Sequence, residues 1–152
     1  MGIELKLRRF KFNLESVLML RSHTLEDERI KLSKIVQLYN EQKEKLNELT
    51  QKLEYLEKNS IEYFQQVGFS SSLIENYRQY ILKTDSELKT QKEVIQRLEK
   101  ELNVQQQSTK KAYIELKTIE NLKEKQKEEY NKLVLHEEMK TLDDITNSKR
   151  SA

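Results

Sequence analysis

The sequence contains no proline, no cysteine and no tryptophan, and it has only two glycines in 152 residues. An ordinary globular chain of this length carries about seven or eight prolines, so nothing here is written to turn often. Without cysteine there is no disulfide scaffold and no thiolate metal site, which suits a reducing cytoplasm. No run approaches the roughly 18 apolar residues of a transmembrane span. The basic start, with Lys6, Arg8, Arg9 and Lys11, has no apolar stretch of the kind a signal peptide needs. The expectation is a chain neither inserted in a membrane nor exported. Nor does one sign of charge dominate: 28 basic and 26 acidic side chains leave a net charge of +2, which argues against a polycation built for nucleic acid.

Chemistry is missing as well. Phosphate-cradling glycine loops, nucleophile elbows, zinc spacings and EF-hand loops need glycines or cysteines that are not there. The two histidines, His23 and His136, stand too far apart in the chain to make a short metal or acid-base motif. Carboxylates abound, but thin paired helices cannot enclose the desolvated cavity that perturbs a pKa. No catalytic, metal-binding or cofactor-binding residue is assigned. The chain reads as a non-enzyme with no cofactor, no small-molecule substrate and no nucleic-acid partner, acting by touching other proteins.

What the sequence does have is charge and a heptad rhythm. Charged residues make up 36% and hydrophobic residues 36%, against roughly 25% and 45–50% in ordinary soluble domains, a balance that suits thin helices better than a thick core. Stepping alternately by four and three from Leu14 reaches Leu18, Leu25, Leu32, Ile35, Tyr39, Leu46, Leu49, Leu53, Leu56 and Tyr63. The same stepping from Ile74 reaches Tyr77, Ile81, Leu88, Ile95, Leu98, Leu102, Ala112, Leu116, Ile119 and Tyr130. Arg21, Glu28, Gln42, Gln91, Gln105 and Lys123 interrupt these stripes with polar groups that lower stability but can specify register. Pairs such as Glu41 with Lys45 and Glu93 with Arg97 sit on the outer faces and support the helices.

Between the stripes, Val67-Gly68-Phe69-Ser70-Ser71-Ser72 joins the one internal glycine to three serines. Gly68 can adopt the left-handed backbone that ends a helix, and a serine before Leu73-Ile74-Glu75 can cap the next. The predicted fold is all-α: a long two-helix antiparallel coiled-coil hairpin with its turn near residues 67–72. It is a single elongated domain over 1–152, with an N-terminal segment 1–13, helix 14–67, turn 68–72, helix 73–140 and tail 141–152. Facing core residues should have numbers totalling about 140 or 141, placing Leu53 by Leu88, Leu46 by Ile95, Tyr39 by Leu102 and Leu25 by Leu116. Residues beyond about 127 then have no partner except the segment from Ile3 to Phe12. Tyr130, Leu133, Val134, Leu135, Met139, Leu142 and Ile145 are candidates for an exposed apolar end. Near the turn, Tyr63 and Tyr77 fall on the stripes and read as core. Phe64, Phe69 and Tyr80 fall beside them, where rings are partly exposed and can anchor a partner.

Three segments carry a resemblance. Phe12 to Arg21 opens the first helix with an aromatic and a leucine-rich run; Gly68 is followed by Asn76-Tyr77-Arg78-Gln79-Tyr80-Ile81; and Lys140-Thr141-Leu142-Asp143-Asp144-Ile145 makes an acidic close, with Asp144 where a glutamate is usual. Together they resemble the FliJ family, the small coiled-coil component of the bacterial flagellar type III export apparatus. The resemblance implies a part like the central stalk of a rotary ATPase. The implied partners are the flagellar export ATPase, the export gate membrane protein through its cytoplasmic domain, and substrate chaperones. It also implies a cytoplasmic location, peripheral to the membrane through the export apparatus, and a monomer when free. Gate contact is expected at Tyr80 and Tyr63. The family's further gate positions would fall on Thr84, Glu87 and Gln91, which here are polar. Contact with the ATPase ring is expected at Tyr130, Leu133, Met139 and Leu142, with Arg8, Arg9, Lys149 and Arg150 steering the approach. The alternatives are a stalk component of a virulence type III secretion system, and a self-associating structural coiled coil.

Overall fold

The computed structural model describes residues 9–151, so the expectations for Arg8 and for the first part of the N-terminal segment lie outside the described residues. Two helices account for almost all of them: α1, Glu15–Val67, and α2, Ser71–Ser151. No strand occurs among the described residues. The chain is an all-α antiparallel hairpin. Helices of 53 and 81 residues persist because neither contains proline or glycine and because each buries one stripe.

The reversal is made by three residues. The Gly68 amide donates to the Phe64 carbonyl at 2.9 Å, closing the last turn of α1, and Gly68 takes φ +101°. Any L-residue is strained there, whereas glycine is not. Space is not the issue, since a Cβ at this position would meet nothing within 4 Å. Ser70 then caps α2: its Oγ accepts the Leu73 amide at 3.4 Å, and its carbonyl accepts the Ile74 amide at 3.0 Å. The cap is thus Ser70, and α2 begins at Ser71, two residues earlier than the expected 73. At the other end, α2 runs on through the segment expected to be a tail after residue 140. No glycine or proline stops it, and Lys149 and Arg150 in its last turn suit the negative end of the helix dipole.

The contacts divide the hairpin into two compact units, one of Glu28–Thr109 and one of the flanking stretches up to Asp27 and from Lys110 onward. In the first, Leu56, Leu88, Ile95 and Leu98 are buried, and so are two polar residues, Thr84 and Gln91. Thr84 satisfies its hydroxyl on the Tyr80 carbonyl of its own helix. Gln91, 5% exposed, crosses the seam: its Nε2 donates to the Gln42 carbonyl at 2.9 Å and to Gln42 Oε1 at 2.8 Å. Farther along, Gln105 Nε2 donates to both the carbonyl and the carboxylate of Glu28, and the Thr109 hydroxyl donates to the Gln105 carbonyl.

In the second unit Leu25, Ala112 and Leu116 form the buried cluster, with Leu18 packed against it. Arg21 reaches Glu115 at 2.8 Å and Lys123 reaches Glu15 at 2.9 Å. Every polar residue that breaks the stripes is therefore matched by a polar residue across the seam.

That matching corrects the register. Leu25 does share a cluster with Leu116, and Ala112 belongs to the same cluster. Gln42 meets Gln91, and Glu28 meets Gln105 and Thr109, several residues from the partners that totals of 140 or 141 imply. Antiparallel seams interleave one heptad position of a helix with the other core position of its neighbour. These pairs centre the reversal near Gly68. Among the described residues no buried side-chain nitrogen or oxygen lacks a partner.

Two outcomes follow from this packing. Gly68→Ala should lower unfolding free energy by about 1–2 kcal/mol through backbone strain alone, measured by urea denaturation, with Gly68→Asn losing less. Gln91→Ala should lower it by about 1–3 kcal/mol by stranding Gln42. The double variant Gln42→Leu/Gln91→Leu should instead stabilise the chain while broadening the distance between spin labels placed across the seam.

Candidate interaction surfaces

At the turn, four aromatic rings, Tyr63, Phe64, Phe69 and Tyr77, make one cluster with an exposed rim. Tyr77 is its centre: its ring stacks on Tyr63 at 5.1 Å between centroids and meets Phe64 edge-on at 5.2 Å. Its hydroxyl donates to the Leu56 carbonyl at 2.7 Å, tying the start of α2 to α1. Burial, aided by the nearby Tyr55 and Tyr63 hydroxyls, raises its pKa above the usual 10.0. Phe64 reaches out to Phe69 at 6.1 Å, and Phe69 is 69% exposed.

The expected division between core and rim is thus partly reversed. Phe64, expected beside the stripe, is half-buried, while Tyr63, expected in the core, counts among the exposed residues. A ring stacked between two others on one helix end loses more solvent than a stripe residue at the fraying edge of the seam. Tyr80 is exposed, with Lys52 Nζ 4.8 Å from its ring centroid in a cation–π contact across the helices. Of the positions following it, Thr84 and Gln91 are buried inside the hairpin, which withholds them from a partner; Glu87 is exposed.

At the other end, residues 9–14 form a non-helical strap lying on α2. Phe12 is buried, and the Phe10 ring packs on Tyr130 at 5.7 Å. Tyr130, expected at an exposed end with the segment from Ile3 to Phe12 as its one possible partner, is half-buried by a ring of that segment. Beyond it, Tyr130, Val134, Glu137 and Thr141 are half-buried and continue the inward face of α2. Leu135, Met139 and Leu142, spaced i, i+4, i+7, are exposed. At about 3.6 residues per turn they lie roughly 140° around the helix from that inward face.

The apolar side of α2 therefore changes over. Up to Lys123 it faces α1, and at Tyr130 it faces the strap; past Leu133 the half-buried positions are Val134, Glu137 and Thr141, and the exposed apolar ones are Leu135, Met139 and Leu142. The four expected ring-contact residues are not one stripe. Met139 and Leu142 share the outward face, Tyr130 belongs to the inward face, and Leu133 is exposed on its flank. Leu135 completes the outward stripe. The change of phase was present in the sequence but is invisible to a scan that keeps one heptad frame.

The model of the family described as the flagellar FliJ protein matches residues 10–150. The chain belongs to that family. No curated protein matches the sequence, and no solved structure matches the fold. Membership makes the chain a component of the flagellar export apparatus, with a structural part in it. It also selects the flagellar reading over the virulence one. Among the described residues, no helix is long and apolar enough to cross a membrane, and no group of three or more histidines or carboxylates is arranged to hold a metal ion.

The Tyr77 hydroxyl supplies a test of the turn. Tyr77→Phe should lower stability by about 1 kcal/mol at neutral pH. In the unfolded chain this phenol ionises near its ordinary value, while in the folded chain it holds its proton to higher pH. Its contribution is therefore present below about pH 10 and lost as the pH rises through the folded value. Urea midpoints of wild type and Tyr77→Phe should converge above about pH 10.

Proposed function

We propose that this chain is a non-enzymatic, central-stalk-like coiled coil of the flagellar export apparatus that binds the export ATPase ring with one end and the cytoplasmic domain of the export gate with the other. It helps escort chaperone-substrate complexes between them. It works on the cytoplasmic side of the membrane, held there peripherally through the apparatus, and is monomeric when free. Family membership supports the setting. The observation that carries the ring contact is the changeover of the apolar face on α2. A face that turns away from the chain's own partner helix is built for a surface approaching from outside.

Leu135, Met139 and Leu142 form the centre of this contact, and Leu133 lies at its edge. Tyr130, engaged by Phe10, supports the end of α2 from within. Arg9, Lys149 and Arg150 provide the steering charge. Gate contact falls at the other end, around Tyr63 and Tyr80, both exposed beside the turn.

Matched charge across the seam, as in Arg21 with Glu115 and Lys123 with Glu15, favours pairing within one chain over self-association. A monomeric mass by sedimentation is the expected result.

Adding the purified chain to the export ATPase should raise hydrolysis or ring formation. The triple variant Leu135→Ser/Met139→Ser/Leu142→Ser should weaken the effect about tenfold or more in chain concentration with unchanged helicity by circular dichroism. Leu133→Ser should weaken it less. An ATPase indifferent to the wild-type chain would remove the proposal.

A further inference from the structure

The turn is the place where this highly charged chain abandons charge. Charged residues make up 36% of the sequence, yet none occurs from Tyr63 to Ile74, the longest such run in it. Inside the run, Phe69, Val67, Ile74 and Tyr63 are all exposed. The first charge in either direction is a carboxylate, Glu62 on α1 and Glu75 on α2; both are exposed, and among the described residues neither is in an ion pair. The surface is an uncharged apolar apex with an acidic collar.

The apex is also pre-shaped. Gly68 at φ +101° sets the direction of Phe69. Phe69 rests on Phe64, Phe64 on Tyr77, and Tyr77 is anchored by its bond to Leu56. A ring already held in place loses little further freedom on docking. Tyr80, by contrast, lies outside the uncharged run and already faces Lys52.

We infer that Phe69, flanked by Val67, is the principal anchor of the turn, and that it enters an apolar pocket on a partner protein whose rim is basic and faces Glu62 and Glu75. This deepens the gate-contact reading proposed above and rests on it. It moves the weight of the contact from Tyr80 and Tyr63 to the apex and states the chemistry of the receiving surface. The collar argues for a protein over a membrane, since carboxylates beside the apex are repelled by anionic lipid headgroups.

The test is binding of the full chain to the cytoplasmic domain of the export gate, measured by calorimetry over a range of salt. Phe69→Ser should weaken binding about thirtyfold, Phe69→Leu should retain most of it, and Tyr80→Ala should change it about threefold at most. Glu62→Gln/Glu75→Gln should weaken binding several-fold at low salt and flatten its salt dependence. Wild-type affinity for Phe69→Ser, or tighter binding by the carboxylate variant, overturns the inference while leaving the gate contact standing. Absence of binding by the wild-type chain overturns both. Phe69-dependent binding to vesicles of phosphatidylglycerol and phosphatidylethanolamine, in place of binding to the gate domain, overturns the choice of a protein pocket.

Discussion

Two helices with the same heptad rhythm can pair in several offsets, and what holds this pair in one is the hydrogen bonding of polar groups inside the seam. Gln91 is 5% exposed, and its amide has one arrangement in which its bonds are made, on Gln42. Glu28 with Gln105 and Thr109 imposes the same offset farther along. A slip of one helical turn would set each of these groups against an aliphatic side chain and leave it desolvated without a partner, a penalty of about 1–3 kcal/mol per group. Apolar layers alone discriminate less, because leucine packs nearly as well against the next aliphatic residue as against the last. The groups that weaken the hairpin are the ones that make it unique.

Once the offset is set, the two surfaces of interest follow from it. With Glu15 beside Lys123, α1 ends its pairing there, and the rest of α2 has only the strap of Phe10 and Phe12 as a described partner. The outward stripe of Leu135, Met139 and Leu142 begins just past that strap. At the turn, the same offset brings Tyr77 under Leu56 and against Tyr63, which raises an aromatic cluster where a looser pairing would leave separate rings. Both surfaces lie past the ends of the seam, so among the described residues their exposed apolar side chains belong to no layer of it.

Much of this could be read from the residues. The absence of proline and the placement of Gly68 among serines gave the number of helices and the site of the reversal, because backbone strain at positive φ is a local property. The heptad stripes identified the seam, and Leu25 with Leu116 was paired correctly. The resemblance carried by Phe12–Arg21, the Tyr77–Ile81 step and Lys140–Ile145 led to the family whose model spans residues 10–150. Less legible were the roles of Tyr63, Phe64 and Tyr130. Each depends on which ring lies beside it in space, and a stripe position says only which side of the helix a residue is on.

The sequence by itself determined the fold class, the turn, the absence of any catalytic motif and the family, since periodicity, a lone flexible glycine and composition act through neighbours a few residues away. Only the tertiary structure decided the offset between the helices and the half-burial of Tyr130 against Phe10. Those depend on pairings such as Gln42 with Gln91, which lie 49 residues apart and are chosen by satisfying hydrogen bonds in three dimensions.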